Sequence, residues 1–413
     1  MASHARELIS PPHNYIPTKM IQDPYKKIGI RRVINAASCL TRLGGSIADP
    51  QVYKAMEEAS KSFVQIPELQ QWAGKAIAGA TGAEAGLPTA GASNALILAA
   101  AACVMKGTSL EKHDPLKLET WSSLINKLPM HTQGLKTQFI VQKTNRNIYD
   151  HAVECAGGTF IETEPDEEAL QGAYSKAKTA AYYYTVRSAS GSLPVETVIG
   201  VAHGKSCPVI VDAAAELPPK KNLKRYISAG ADLVIFSGGK YISGPNNSGI
   251  LAGRRDLIKL AHLQAYPFHG VGRASKMSRE TIVGFVTALK LYIDKDEEKA
   301  YQEWLAKAQW ITKELTGIHG VHPSLDYQST VEEDEPVVPL SVIKLDDKVT
   351  GITGGKLMEK LRDGDPSIET LYEPAFLLKN PSGKLVINPE FLLEGEKETV
   401  VKEIKTILSE ARK

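Results

Sequence analysis

Short apolar runs bounded by turn residues recur through the middle of the chain: Thr137 to Gln142, Thr159 to Glu162, Ala180 to Val186, Pro208 to Val211, Leu233 to Phe236 and Gly249 to Ala252. The runs are continuous rather than alternating, and stretches with helical spacing separate them. That pattern predicts a mainly parallel sheet covered by helices on both faces. Residues 50–80 carry apolar positions at helical spacing in two stretches split at Pro67. An Ala/Leu-rich helix is predicted from Ser93 to Lys106, entered from the turn Pro88-Thr89-Ala90-Gly91. Farther on, a long helical stretch, Ser278 to Thr316, precedes strands at Val337 to Lys344, Thr370 to Leu378 and Lys384 to Ile387, and a last helix spans Gly395 to Arg412. The expected fold class is α/β. The organisation expected is a polar, proline-broken arm over 1–30, a large domain over 31–285 and a small α/β domain over 286–413.

Composition narrows the class without naming the chemistry. The 413 residues suffice for two or three domains. With 43% hydrophobic and 23% charged residues the chain is globular, neither disordered nor fibrous. Lys+Arg 49 against Asp+Glu 47 leaves a net charge of +2, so no footprint for nucleic acid or an acidic membrane is visible. Met1 to Met20 has no apolar core of signal-peptide type, and the longest apolar run, Ala95 to Met105, is too short for a membrane span. Cys39, Cys103, Cys155 and Cys207 form no C-x-x-C pair, so they read as reduced thiols and the protein as cytoplasmic. The acidic cluster Glu332 to Glu335 reads as a solvated loop.

The chemistry sits at two predicted strand ends. Val209-Ile-Val-Asp212 and Ile235-Phe-Ser237-Gly-Gly-Lys240 place an acid and a lysine where an open parallel sheet opens its ligand crevice. A lysine amine can hold a carbonyl cofactor as a Schiff base, and a carboxylate can keep a pyridine nitrogen protonated, the two groups pyridoxal phosphate needs. Taken singly, Asp212 could cap the next helix and Lys240 could be a surface residue. Together they are more telling, because Ser237 and the two glycines add a hydroxyl and a tight turn. Thr89-Ala-Gly91-Ala92-Ser93-Asn94, at a helix start, offers backbone N–H groups to a phosphate, or is only an N-cap.

Several segments resemble a known family. Gly29-Ile-Arg-Arg-Val-Ile-Asn35-Ala-Ala, Thr41-Arg-Leu-Gly-Gly45, Ser62-Phe-Val, Glu68-Leu-Gln70, Thr81-Gly-Ala-Glu84, Asp212-Ala-Ala-Ala-Glu-Leu-Pro-Pro219, Ser237-Gly-Gly-Lys240 and Gly270-Val-Gly-Arg273 are similar to the bacterial selenocysteine synthase-like group of fold-type I pyridoxal phosphate enzymes. Within it they most resemble the D-glucosaminate-6-phosphate ammonia lyase branch. Leu361-Arg-Asp-Gly-Asp-Pro366 and Leu393-Glu-Gly-Glu396 carry the likeness to the C-terminus. The resemblance implies the aspartate aminotransferase-like fold, pyridoxal 5'-phosphate as cofactor, Lys240 as the Schiff-base lysine and Asp212 as the pyridinium partner. It further implies Gly91, Ala92 and Ser93 as the phosphate cup, with Ser237 and Ala214 beside the cofactor. It also implies a homodimer or larger homo-oligomer, with Arg273 reaching a neighbour's site.

Departures from the branch bear on the substrate. Asn145 stands where a ring-stacking histidine is expected, Leu371 where an arginine for a substrate carboxylate is expected, and Tyr241-Ile-Ser243-Gly-Pro-Asn246 replaces an arginine- and glutamine-bearing turn. Arg187, after Tyr182-Tyr-Tyr-Thr-Val, and Arg42 are candidate anion clamps, or else ion-pair or carbonyl partners. His269, beside Arg273, is the best placed of His151, His203 and His269 to touch a ligand. Gly204-Lys-Ser206 lacks the first glycine of a phosphate-binding loop, and neither G-x-G-x-x-G nor H-E-x-x-H occurs, so no metal site is expected.

The reaction expected is loss of a Cα proton from an amino acid or amino-sugar acid, followed by α,β-elimination to a 2-oxo acid and ammonia. A racemase or epimerase is the alternative, and selenium transfer to seryl-tRNA the third. The last would call for a broad basic face and an added tRNA-binding region, which the charge and the short polar arm argue against. A catalytically idle pyridoxal-binding scaffold is the non-enzyme reading, against which the pairing of Lys240 with Asp212 argues.

Overall fold

The computed structural model describes residues 24–117, 127–188, 190–329, 335–372, 377–378 and 382–412. The greater part of the predicted arm lies outside them. Twelve strands are described: β1 (Val33–Asn35), β2 (Ala85–Thr89), β3 (Gln138–Gln142), β4 (Thr159–Thr163), β5 (Thr179–Thr185), β6 (Val209–Asp212), β7 (Leu233–Ser237), β8 (Gly249–Gly253), β9 (Val321–Ser329), β10 (Pro336–Leu345), β11 (Ser367–Glu369) and β12 (Lys384–Ile387). Seven of them form one sheet in the order β2-β8-β7-β6-β5-β3-β4. The β7-β6-β5-β3-β4 portion is parallel, and β8 runs antiparallel to both β7 and β2. This is a mixed α/β sheet.

Every residue of β5, β6 and β8 is buried, because helices cover both faces. Helix Ala92–Met105 shows why its sequence is apolar all round: from Leu98 to Met105 each residue is buried, between the sheet and helix Arg255–Gln264. Its alanines let those neighbours approach closely. Among the described residues no helix is long and apolar enough to cross a membrane.

The C-terminal part builds a separate antiparallel sheet, β12-β10-β9, covered by helices Glu297–Leu315 and Gly354–Asp363, and helix Glu396–Ala411 packs on both of these. The N-terminal strand β1 crosses over to pair with β11, Val33 with Ser367 and Asn35 with Glu369. Ile34 and Ala36 therefore sit in the C-terminal core beside Ile368 and Ile387.

Three local expectations are revised. The helical stretch 278–316 is two helices, Arg279–Asp294 and Glu297–Leu315, because the Asp296 carboxylate caps the second by accepting from Lys299 N–H at 3.0 Å. Residue 286 lies inside the first. The strand expected at Thr370 to Leu378 is replaced by β11 just before it, with Leu371 making only a bridge to Val386, and 373–376 lie outside the described residues. The partner of β11 is more than 300 residues upstream, so local pattern could not place it. Most of the acidic cluster 332–335 is also outside them, while Glu335 pairs with Lys221 at 2.6 Å.

Candidate active site at the strand ends

Asp212 is the last residue of β6, and Lys240 follows β7 after a Gly-Gly turn, so both stand at the carboxyl edge of the parallel strands. Asp212 is buried, and its Oδ1 accepts the Ala214 N–H at 3.0 Å. Burial raises the Asp212 carboxyl above the usual range, while the Ala214 N–H and the Lys240 charge oppose the shift. A buried carboxyl with this little support gains from a proton-bearing ring nitrogen. Ala214, two residues on, is partly exposed beside it.

The turn that presents Lys240 is tightly constrained. A Cβ on Gly239 would lie 2.7 Å from Asn246 Cα, and Ser46 donates to the Gly239 carbonyl from both its N–H (3.1 Å) and its hydroxyl (3.0 Å). The Lys240 side chain is partly exposed and makes no hydrogen bond among the described residues. Its amine is available for a carbonyl.

An anion cup lies at the start of helix Ala92–Met105. Gly91 occupies the N-cap at φ 88°, no side chain caps the helix, and Ala92 and Ser93 are open to solvent. Asn94 accepts the Ala90 N–H at 3.2 Å, yet its own buried Nδ2 has no partner. Behind the cup a Cβ on Gly249 would stand 2.7 Å from the Gly91 carbonyl carbon, so only glycine lets the strand come this close. The helix dipole, the uncapped N–H groups and the orphaned amide suit a phosphate. Ser237, partly exposed at the end of β7, lies between the cup and Lys240. These residues fit pyridoxal phosphate at each of its ends: Asp212 for the ring nitrogen, Lys240 for the aldehyde, and Gly91, Ala92, Ser93 and Asn94 for the phosphate.

Comparison with known proteins points the same way. Residues 149–335 match the family model for SelA, L-seryl-tRNA selenium transferase. Over that stretch the chain is similar to SelA. It is 28% identical to a 5'-C-glycyluridine monooxygenase-decarboxylase of Streptomyces, over 93% of this chain and 92% of that one. It is also 28% identical to the D-glucosaminate-6-phosphate ammonia lyase of Salmonella typhimurium, over 95% of this chain and all of the other. The solved structure of a D-glucosaminate-6-phosphate ammonia-lyase superposes with a TM-score of 0.78 at 26% identity, covering 95% of this chain and 100% of that chain. The architecture is fold type I.

Other expected site residues take different places. Asn145 is fully buried, donating to the Thr185 carbonyl at 2.8 Å and accepting the Thr185 N–H at 2.7 Å. An amide clamped this way is not open to the crevice, so the structure does not bring it to a ring face. Arg187 does end β5, but its guanidinium bonds the Ala215 carbonyl at 2.8 Å and pairs with buried Glu216 at 3.0 Å. It braces the turn that carries Ala214. Arg42 pairs with Glu369 of β11 and stays largely exposed. His269 is exposed. Arg273 lies over the Tyr266 ring at 5.1 Å, and its buried Nη1 has no partner, as an anion-binding group would show. His151 bonds the Ile148 carbonyl, and His203 pairs with Asp232 at the opposite end of β7 from Lys240.

Sequence reading passed over Gly249, Asn94 as an individual ligand, Glu216, and Glu390 beside Tyr241. Asn94 lay in the Thr89 to Asn94 run and Glu216 in the Asp212 to Pro219 run, neither with a role of its own. The others owe their positions to pairing and packing between distant segments.

Proposed function

We propose that the chain is a pyridoxal phosphate-dependent enzyme that removes the Cα proton of an amino acid or amino-sugar acid and expels a Cβ substituent. The products are a 2-oxo acid and ammonia. The observation that supports it most is the convergence of Lys240, buried Asp212 and the uncapped helix at one sheet edge, on a chain similar throughout to an ammonia lyase. When bound, the cofactor supplies the electron sink for the Cα carbanion.

The protein's own groups do the rest. Asp212 holds the proton on the ring nitrogen, keeping positive charge where electrons are drawn. Lys240 would hold the aldehyde, and its amine, when free, would carry the Cα proton. With a β-hydroxyl as leaving group, the Cα proton and the hydroxyl depart as water. Hydrolysis of the resulting enamine then consumes one water and frees ammonia. Ala214 would lie against the ring, and the Arg187–Glu216 pair fixes the turn that carries Ala214. Arg273, with its unpartnered Nη1, supplies an anion contact for substrate. The strongly exposed side chains of Ile47, Tyr53 and Phe63 support a homo-oligomer. Sedimentation equilibrium of the wild-type protein tests that association.

The test of function is absorbance of the purified protein beside Lys240→Ala, with D- and L-amino acids and amino-sugar acids. A band at about 420 nm, lost in the variant, and 2-oxo acid from a panel member are expected. Conversion to the enantiomer alone would replace elimination with racemisation. A protein that stays colourless with added pyridoxal phosphate would overturn the reading.

A further inference from the structure

A cavity of about 430 Å³ opens beside the lysine turn. It lies between the corner joining helices Arg279–Asp294 and Glu297–Leu315, the Pro218-Pro219 turn, and the Glu390 to Leu393 segment after β12. Tyr241 and Ser243 line it, whereas Asp212, Lys240 and Gly91 do not, so it is a compartment apart from the cofactor site. Its walls carry the rings of Tyr292, Tyr301, Trp304 and Phe391 as well.

Two buried polar atoms in these walls have no partner, the Tyr292 hydroxyl and Glu390 Oε2, and Tyr292 is only 6% exposed. An unmet buried donor or acceptor costs about 1–3 kcal/mol, so two on one cavity call for a ligand's polar group. Charge selects its sign. The lining acids are Glu297, Glu298, Glu335 and Glu390, against one lysine, Lys295. Glu297 accepts the Lys220 N–H at 2.7 Å, Glu298 accepts from Gln302 at 2.8 Å, and Glu335 pairs with Lys221. Glu390 forms no ion pair among the described residues, and the nearby Lys295 charge favours its ionised form. Lys295 Nζ stands 5.1 Å from the centroid of the Trp304 ring, which shows that this wall accepts an ammonium.

We propose that this cavity binds a small organic cation, an ammonium or amidinium on an apolar body, with its charge on Glu390 and its body against the aromatic walls. Because Tyr241 lines the cavity and directly follows Lys240, the occupant bears on the turn that aims the lysine. Burial pushes the Glu390 carboxyl up to about 8, so binding near neutrality releases a proton and tightens as pH rises. The groups that face Glu390 are Tyr241, Tyr292 and the Cys39 thiol, all raised by burial, together with Lys295; Glu297, Glu298 and Glu335 share the cavity.

The test is calorimetric titration of the protein saturated with pyridoxal phosphate, using benzamidinium, which does not condense with the cofactor aldehyde, and neutral benzamide as control. The heat of binding is read without turnover, so its outcome is independent of the lyase reading. One benzamidinium per chain is expected, about tenfold tighter at about pH 8.5 than at about pH 6.5, with no binding of benzamide. Glu390→Gln should weaken benzamidinium about tenfold at the higher pH and erase the pH dependence. Tyr292→Phe, a milder change, should weaken it about threefold should the first variant fail to fold. Equal binding of benzamide, affinity independent of pH, or unchanged affinity in a folded variant would overturn the proposal.

Discussion

Gly249 of β8 is paired in register with Ser237 of β7. On its other side it pairs with Thr89 of β2, so the antiparallel strand brings the hydroxyl before the lysine turn and the start of the anion cup to the same level of the sheet. A methyl group at 249 would drive into the Gly91 carbonyl from behind. Gly249→Ala is therefore expected to lower affinity for pyridoxal phosphate about tenfold or more, with some loss of thermal stability from overpacking. A cofactor titration followed by absorbance checks it. Unchanged affinity would place the phosphate elsewhere.

Arg187 and Glu216 form the second brace of the site. Burial raises the Glu216 carboxyl, and the Arg187 charge opposes that shift. Removing the arginine in Arg187→Ala leaves an uncompensated buried carboxylate, at a cost of about 3 kcal/mol. Denaturant unfolding at neutral pH should show that loss, and the double variant with Glu216→Gln should recover much of it. Strict additivity of the two changes would show that the pair is not coupled.

Asn145 closes the end of β5 by meeting both backbone groups of Thr185. Asn145→Ala leaves a buried N–H and carbonyl unmet, for about 2–4 kcal/mol. Amide exchange at Thr185 should speed up accordingly. If the variant keeps its stability but loses the cofactor's absorbance, Asn145 serves the cofactor rather than the strand.

Stability against pH carries a signature of Glu390. Burial raises its folded-state pKa to about 8 from the ordinary 4.5, so the group favours folding at low pH and that contribution is lost as pH climbs through this window. Glu390→Gln removes the ionisation. Its melting temperature should match the wild type near pH 4.5, exceed it by a few degrees near pH 8, and keep a constant lead above that. A lead that shrinks with rising pH would contradict this assignment.

The large sheet was legible because β5, β6 and β7 are buried on both faces and therefore apolar without interruption. Lys240 and Asp212 could be located because each follows such a run. By contrast β2, Ala85-Gly-Leu-Pro-Thr89, hides behind a glycine and a proline, and β9 is an edge strand with Pro323 and polar residues. Arg187 could be placed at a strand end, yet nothing local revealed Glu216 as its partner. The compartment around Glu390 was invisible for the same reason: its walls come from six separated stretches of chain, each unremarkable alone.

The crossing of β1 to β11 has a mechanical consequence. Val33 to Asn35 is bonded into the C-terminal body, Ala36 bridges Glu369 and Asn388, and ten residues later Ser46 grips the carbonyl of Gly239. One short length of backbone is thus tied at one end to β11 and at the other to the turn preceding Lys240. A rocking of the C-terminal body would pull on this tether and tilt the lysine, so that opening and closing over a substrate are registered at the reacting amine without passing through the sheet.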